Sequence, residues 1–169
     1  RILHRDKQQE MVTQSLIPLY QKSIPSNLLV YGKPGTGKTL VVKKVLKQIQ
    51  ERVDKNTYPI KLAYTNAKNE STLYGLLVSL GKQLGLKSKK DSDDDKLFLP
   101  DTGLAISEVF NRILYVIDKN KMNTVFVIDE IDYLAELVSK TGKDILYSIT
   151  RANERLENGS LSLIGVSND

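Results

Sequence analysis

The chain has 169 residues, of which 40% are apolar and 27% charged, with no cysteine. That length suits one packed domain or the greater part of one, and the composition excludes a fibre, a solvated tail, a disulfide framework and a thiolate metal site. The net charge of +5 is a mild excess that permits contact with polyanions without demanding it.

No apolar run reaches the roughly 20 residues that cross a bilayer, and the opening RILHRDKQQE has no signal-peptide core. The sequence therefore predicts no membrane partner and a cytoplasmic setting. Met11, Val12, Leu16, Leu19 and Tyr20 recur at helical spacing, and SIPSN ends that helix because Pro25 disfavours helix at its neighbour. A short strand follows at Leu28 to Tyr31. Val41, Val42, Val45, Leu46, Ile49 and Val53 then mark one face of a second helix, and a second strand is predicted near Ile60 to Thr65.

Leu73, Leu76, Leu77, Leu80 and Leu84 repeat the helical period. Residues 85–103 break it with a mixed charge run and a proline-glycine turn, which predicts an exposed insertion. Ile106 to Ile117 resumes as a helix, TVFVI (124–128) as a buried strand, Ile145 to Leu156 as a helix and LSLIGVS as a last strand. Strands alternating with helices predict an α/β fold with a mostly parallel sheet covered on both faces.

Between the first strand and the second helix, Gly32, Gly37, Lys38 and Thr39 satisfy G-x-x-x-x-G-K-[ST], with Lys33, Pro34, Gly35 and Thr36 between them and Leu40 next. Glycines admit positive φ and remove Cβ atoms, so successive N–H groups can converge on phosphate oxygens at the positive end of a helix. Lys38 would neutralise β- and γ-phosphate charge, and the Thr39 hydroxyl suits Mg²⁺, a hard ion that prefers oxygen. The expected ligand is a nucleoside triphosphate. Downstream, Asp129 and Glu130 follow the TVFVI strand, at the strand end where ligands of open α/β sheets bind. Asp129 is the predicted metal carboxylate, and Glu130 the predicted group that polarises the attacking water. Asp132 is read as an acid drawn to a helix start. Asn66 and Asn168, each at a strand end, could hydrogen-bond the γ-phosphate or the water, or serve as turn residues.

GKPGTGKT, YTN, VFVIDEID and LIGVSND stand in the order that resembles the AAA+ ATPases. LHRDKQQE, NLLVYGKPGTGKT, PDTG, DILYSITRANE and LSLIGVSND resemble, over nearly the whole chain, the archaeal origin-recognition and cell-division-control (Orc/Cdc6-type) replication initiators. The resemblance implies a three-layer P-loop NTPase whose sheet is incomplete at its C-terminal end. It makes residues 1–169 an AAA+ base subdomain, cut after the strand that bears the polar sensor Asn168, with an initiator-type insertion near 85–103. An unpaired edge is expected beside the strand that precedes the P-loop.

The resemblance also implies ATP or ADP with Mg²⁺, slow ATPase activity, and a location in the archaeal cytosol. Its implied partners are origin DNA, contacted mainly by a C-terminal domain, the replicative helicase, and a neighbouring AAA+ subunit that supplies an arginine in trans. It assigns Asn66 to restraining Glu130, and His4 and Arg5 to the segment around the adenine. Two alternatives stand beside it: a nucleotide-dependent binding module with little turnover, and another AAA+ protein such as a clamp loader or a signal-transduction NTPase.

Overall fold

The computed structural model describes residues 28–30, 60–139 and 144–167, together with residues 40, 43, 44, 47, 48 and 51. Strands β1 (Leu28–Val30), β2 (Ile60–Asn66), β3 (Asn123–Asp129) and β4 (Ser160–Val166) form one parallel sheet in the order β1-β4-β3-β2. Helices α1 (Leu73–Gln83), α2 (Ile106–Lys119), α3 (Leu134–Ser139) and α4 (Ile145–Thr150) lie in the connections.

Strand β3 is buried from Asn123 to Ile128, and its apolar run is Val125 to Ile128, as suits a central parallel strand between two neighbours. On one face Phe126, Ile128, Leu161 and Leu163 join the leucines of α1 and the Val109, Phe110, Ile113 and Ile117 stripe of α2 in one core. On the other face Val125, Val127, Ile164 and Val166 are also buried. That second face carries Tyr64, the register partner of Val127. The Lys43 ammonium lies 4.0 Å from the centre of the Tyr64 ring. Lys43 is helical, as are Leu40, Lys44, Lys47, Gln48 and Glu51, so helix flanks the sheet on both sides. This is the predicted α/β three-layer arrangement. Among the described residues β1 pairs only with β4 and so ends the sheet.

Predicted and observed elements agree closely for α1, α2 and the four strands. The exception is the helix expected to run to Leu156. It stops at Thr150 and passes into a 3₁₀ turn over Ala152–Glu154. Asn153 is the reason, because its carboxamide donates to the Leu161 carbonyl (2.8 Å) and accepts from the Leu161 N–H (2.9 Å). A side chain bonded to the next strand in this way anchors the connection at a fixed point. The helix predicted over Met11 to Tyr20 lies outside the described residues.

The segment 85–103 is less solvated than its charges suggest. Leu86 and Leu99 are core residues, and Lys87 and Phe98 form a short parallel bridge. Gly81 of α1 makes room for Leu99, since a Cβ there would stand 2.7 Å from Leu99 Cδ2. From α2, Arg112 donates to the carbonyls of Phe98 (2.6 Å) and Asp95 (3.0 Å), and Tyr115 and Lys119 both donate to Asp94. Lys87 and Lys90 pair with Asp91 and Asp95, so much of the charge run is neutralised within the segment itself. Leu99→Ala should therefore cost about 2–5 kcal/mol in urea unfolding, whereas Asp93→Ala in the exposed stretch should change stability by less than about 0.5 kcal/mol.

Candidate functional site

Because all four strands are parallel, their C-terminal ends share one edge of the sheet. In the β2–β3 ladder Asn66 pairs with Asp129, which sets the two side chains beside each other on one face. β4 lies between β3 and β1, and Val166 pairs with Val30, the last residue of β1. β1, which precedes the loop that satisfies the phosphate-binding pattern, thus ends at the same edge as Asp129, with one strand, β4, between them. Gly32, Lys33, Pro34, Gly35, Thr36, Gly37, Lys38 and Thr39 themselves lie outside the described residues, as do His4, Arg5 and Asn168. Leu40, the first residue after them, is helical and exposed.

Asp129 is held at both carboxylate oxygens. The Tyr64 hydroxyl donates to Oδ2 at 2.8 Å, and the Glu130 N–H donates to Oδ1 at 2.9 Å. Glu130 itself has φ 47° and ψ 48°, a left-handed conformation that costs a non-glycine residue on the order of 1–3 kcal/mol. Such a bend turns the chain sharply at the end of β3 and sets the Glu130 side chain apart from the strand's alternation. Asn66 accepts the Lys68 N–H at 2.9 Å, capping the 3₁₀ turn Ala67–Asn69. Asn66, Asp129 and Glu130 thus stand at one edge of the sheet.

Burial, reinforced by the bond to Asp129 and by the charges of Asp129 and Glu130, pushes the Tyr64 phenol up to about 12, against a small opposing effect of Asn66. The phenol is therefore a neutral donor throughout the physiological range. Asp132, expected only to favour a helix start, accepts the Ser167 hydroxyl at both oxygens (2.8 and 2.9 Å). This ties the end of β4 to the turn that follows β3. Sequence reading missed Tyr64 and Ser167. Tyr64 lies two residues before Asn66 and so shares its face of the strand, a signal that becomes useful only once the β2–β3 register is known.

The donor set suits magnesium. Among the described residues no group of three or more His, Cys, Asp or Glu side chains forms a metal cage. An ordered strand-end carboxylate is what Mg²⁺ uses when phosphate oxygens and water complete its shell.

A family model described as an AAA domain matches residues 22–168. The chain belongs to the AAA family. Its sequence is 65% identical, over 99% of its length, to an ORC1-type DNA replication protein of Cenarchaeum symbiosum, and covers 39% of that protein. Its fold is similar to the ORC1 protein of Aeropyrum pernix solved in complex with DNA, with a TM-score of 0.79, 31% identity, and coverage of 98% of this chain and 39% of that one. The Aeropyrum pernix ORC2 protein, solved as ADPNP-ADP complexes, shares the fold with a TM-score of 0.70 at 20% identity, over 98% of this chain and 41% of that one. The chain spans about two fifths of the length of these archaeal proteins to which it is similar. No helix among the described residues is long and apolar enough to cross a membrane.

Tyr64 provides a pH test. The fold favours its neutral form, so that contribution to stability is complete below pH 10 and is lost as pH rises through about 12. Ultraviolet difference titration of wild type against Tyr64→Phe should show one phenolate that forms near pH 12. A difference spectrum centred near pH 10 would mean that the hydroxyl is solvated.

Proposed function

We propose that this AAA chain is the ATP-binding and hydrolysing module of a DNA replication initiator, one that recognises origins and helps to load the replicative helicase. The observation that carries the proposal is the pairing of Asn66 with Asp129 at the strand edge, with Glu130 bent away immediately after, one strand from the end of β1. The names of the most similar relatives support the replication role.

In this reading the amides of residues 32–39 and the Lys38 ammonium hold the β- and γ-phosphates, with Leu40 opening the helix behind them. Thr39 and Asp129 would hold Mg²⁺, which neutralises charge on the phosphates when bound. Glu130 orients a water and accepts its proton as the oxygen bonds to the γ-phosphorus, and the bridging oxygen leaves on ADP. Asn168 hydrogen-bonds the γ-phosphate or that water, Asn66 restrains Glu130 between turnovers, and His4 and Arg5 border the adenine. Catalysis of this kind is positioning and electrostatics, so it depends on every donor being in place. An arginine from a neighbouring AAA+ subunit would complete the site, at a gain of about 10³–10⁵ in rate. Origin DNA is contacted mainly outside these residues. In this reading the protein works in the archaeal cytosol, without a membrane partner.

Single-turnover hydrolysis by the full-length protein on DNA tests this. Glu130→Gln should abolish turnover and leave ATP bound, while Lys38→Ala should abolish binding. Retained turnover in Glu130→Gln would favour a nucleotide-dependent binding module, and activity that depends on a sliding clamp would favour a clamp loader.

A further inference from the structure

We propose that Tyr64 is a positioning residue for the metal carboxylate: braced by Gln83 and Lys43, its hydroxyl fixes the orientation in which Asp129 receives a divalent cation. The inference rests on the Mg²⁺-nucleotide reading of the site and adds to it a residue outside the phosphate-binding loop and the acidic pair.

Tyr64 is held at its backbone by Gln83 and at its ring by Lys43 and Asp129. β2 is the outermost strand on its side of the described sheet, and at Tyr64 its outer backbone edge is closed by one side chain. Gln83, the last residue of α1, accepts the Tyr64 N–H (2.8 Å) and donates to the Tyr64 carbonyl (2.7 Å), imitating a neighbouring strand. Gln83 is itself held by the Ser79 carbonyl at 3.0 Å. Lys43, from the helix that follows the phosphate-binding loop, covers the ring face at 4.0 Å, a cation–π distance. At the far end of the ring the hydroxyl donates to Asp129 Oδ2.

A carboxylate that must present one lone pair to a cation is better prepared when its rotation is already restricted. The Glu130 N–H at Oδ1 and the Tyr64 hydroxyl at Oδ2 supply that restriction from two elements. Outer hydrogen-bond partners of metal ligands commonly alter metal affinity by about 10- to 100-fold. Lys43 also places the helix behind the loop in contact with the strand edge that carries Asn66, so phosphate and metal contacts would be aligned through one aromatic ring.

Tyr64→Phe keeps the ring and the Lys43 contact and removes only the hydroxyl. Binding of a fluorescent ATP analogue to the full-length protein, titrated with Mg²⁺ and repeated in EDTA, separates metal placement from general damage. The Mg²⁺ midpoint should rise about tenfold in Tyr64→Phe while affinity in EDTA is unchanged. Gln83→Ala, which leaves the hydroxyl but loosens its support, should shift the midpoint in the same direction by less. An unchanged midpoint in Tyr64→Phe, or equal weakening with and without Mg²⁺, would overturn the role of the hydroxyl alone. A wild-type protein that binds no nucleotide would refute the ATP-module reading and this inference with it.

Discussion

The register between β2 and β3 is the constraint from which the site follows. A slip of one residue in β3 would move Phe126 and Ile128 from the core that they share with α1 and α2 to the opposite face, where the smaller Val125 and Val127 are buried, so side-chain volume selects the alignment. Asp129 sits at the last position of that strand, so its height at the sheet edge is set by apolar packing several residues below it. Asn66 is carried to the same height by the same ladder. Fixing polar groups through a buried hydrophobic strand removes the entropy that loop-borne groups would lose on binding, which suits a site that works by orientation.

Local contacts refine what the ladder sets. Gln83 closes the outer edge of β2 at Tyr64, Tyr64 reaches Asp129, and Ser167 at the end of β4 reaches Asp132 beyond β3. Each bond joins a different pair of elements at the same edge. Movement of the β4 end toward a bound phosphate would therefore be felt at the turn that contains Glu130. The left-handed Glu130 is the costly point of this arrangement, and residues in such conformations persist where their surroundings hold them and where the geometry serves the chemistry.

Much of this was legible in the sequence, for identifiable reasons. TVFVI reads as a buried strand, the leucines at 73, 76, 77 and 80 as a helix face, and the acidic pair after that strand, taken with the upstream glycine-rich loop, marks the binding edge. Three features were not legible. Leu99 lies in a charge run whose composition suggests solvent, yet one leucine against Gly81 draws the segment onto α1. Asn153 ends a helix whose apolar period continues, because its partner Leu161 is on another element. Tyr64 reads as an ordinary strand aromatic until the ladder brings its hydroxyl to Asp129. Periodicity reports which face a residue occupies, whereas each of these depends on which other element that face meets.

In the proposed function a nucleoside triphosphate would lie across this sheet edge, held by residues 32–39, with a metal at Asp129. Crystals of the full-length protein with a non-hydrolysable ATP analogue and Mn²⁺ in place of Mg²⁺ test it directly through the anomalous signal of manganese. The expected result is one peak beside Asp129, in contact with the β- and γ-phosphates, with the Tyr64 hydroxyl still on the carboxylate. A polyphosphate bound elsewhere, or a manganese peak remote from Asp129, would contradict it.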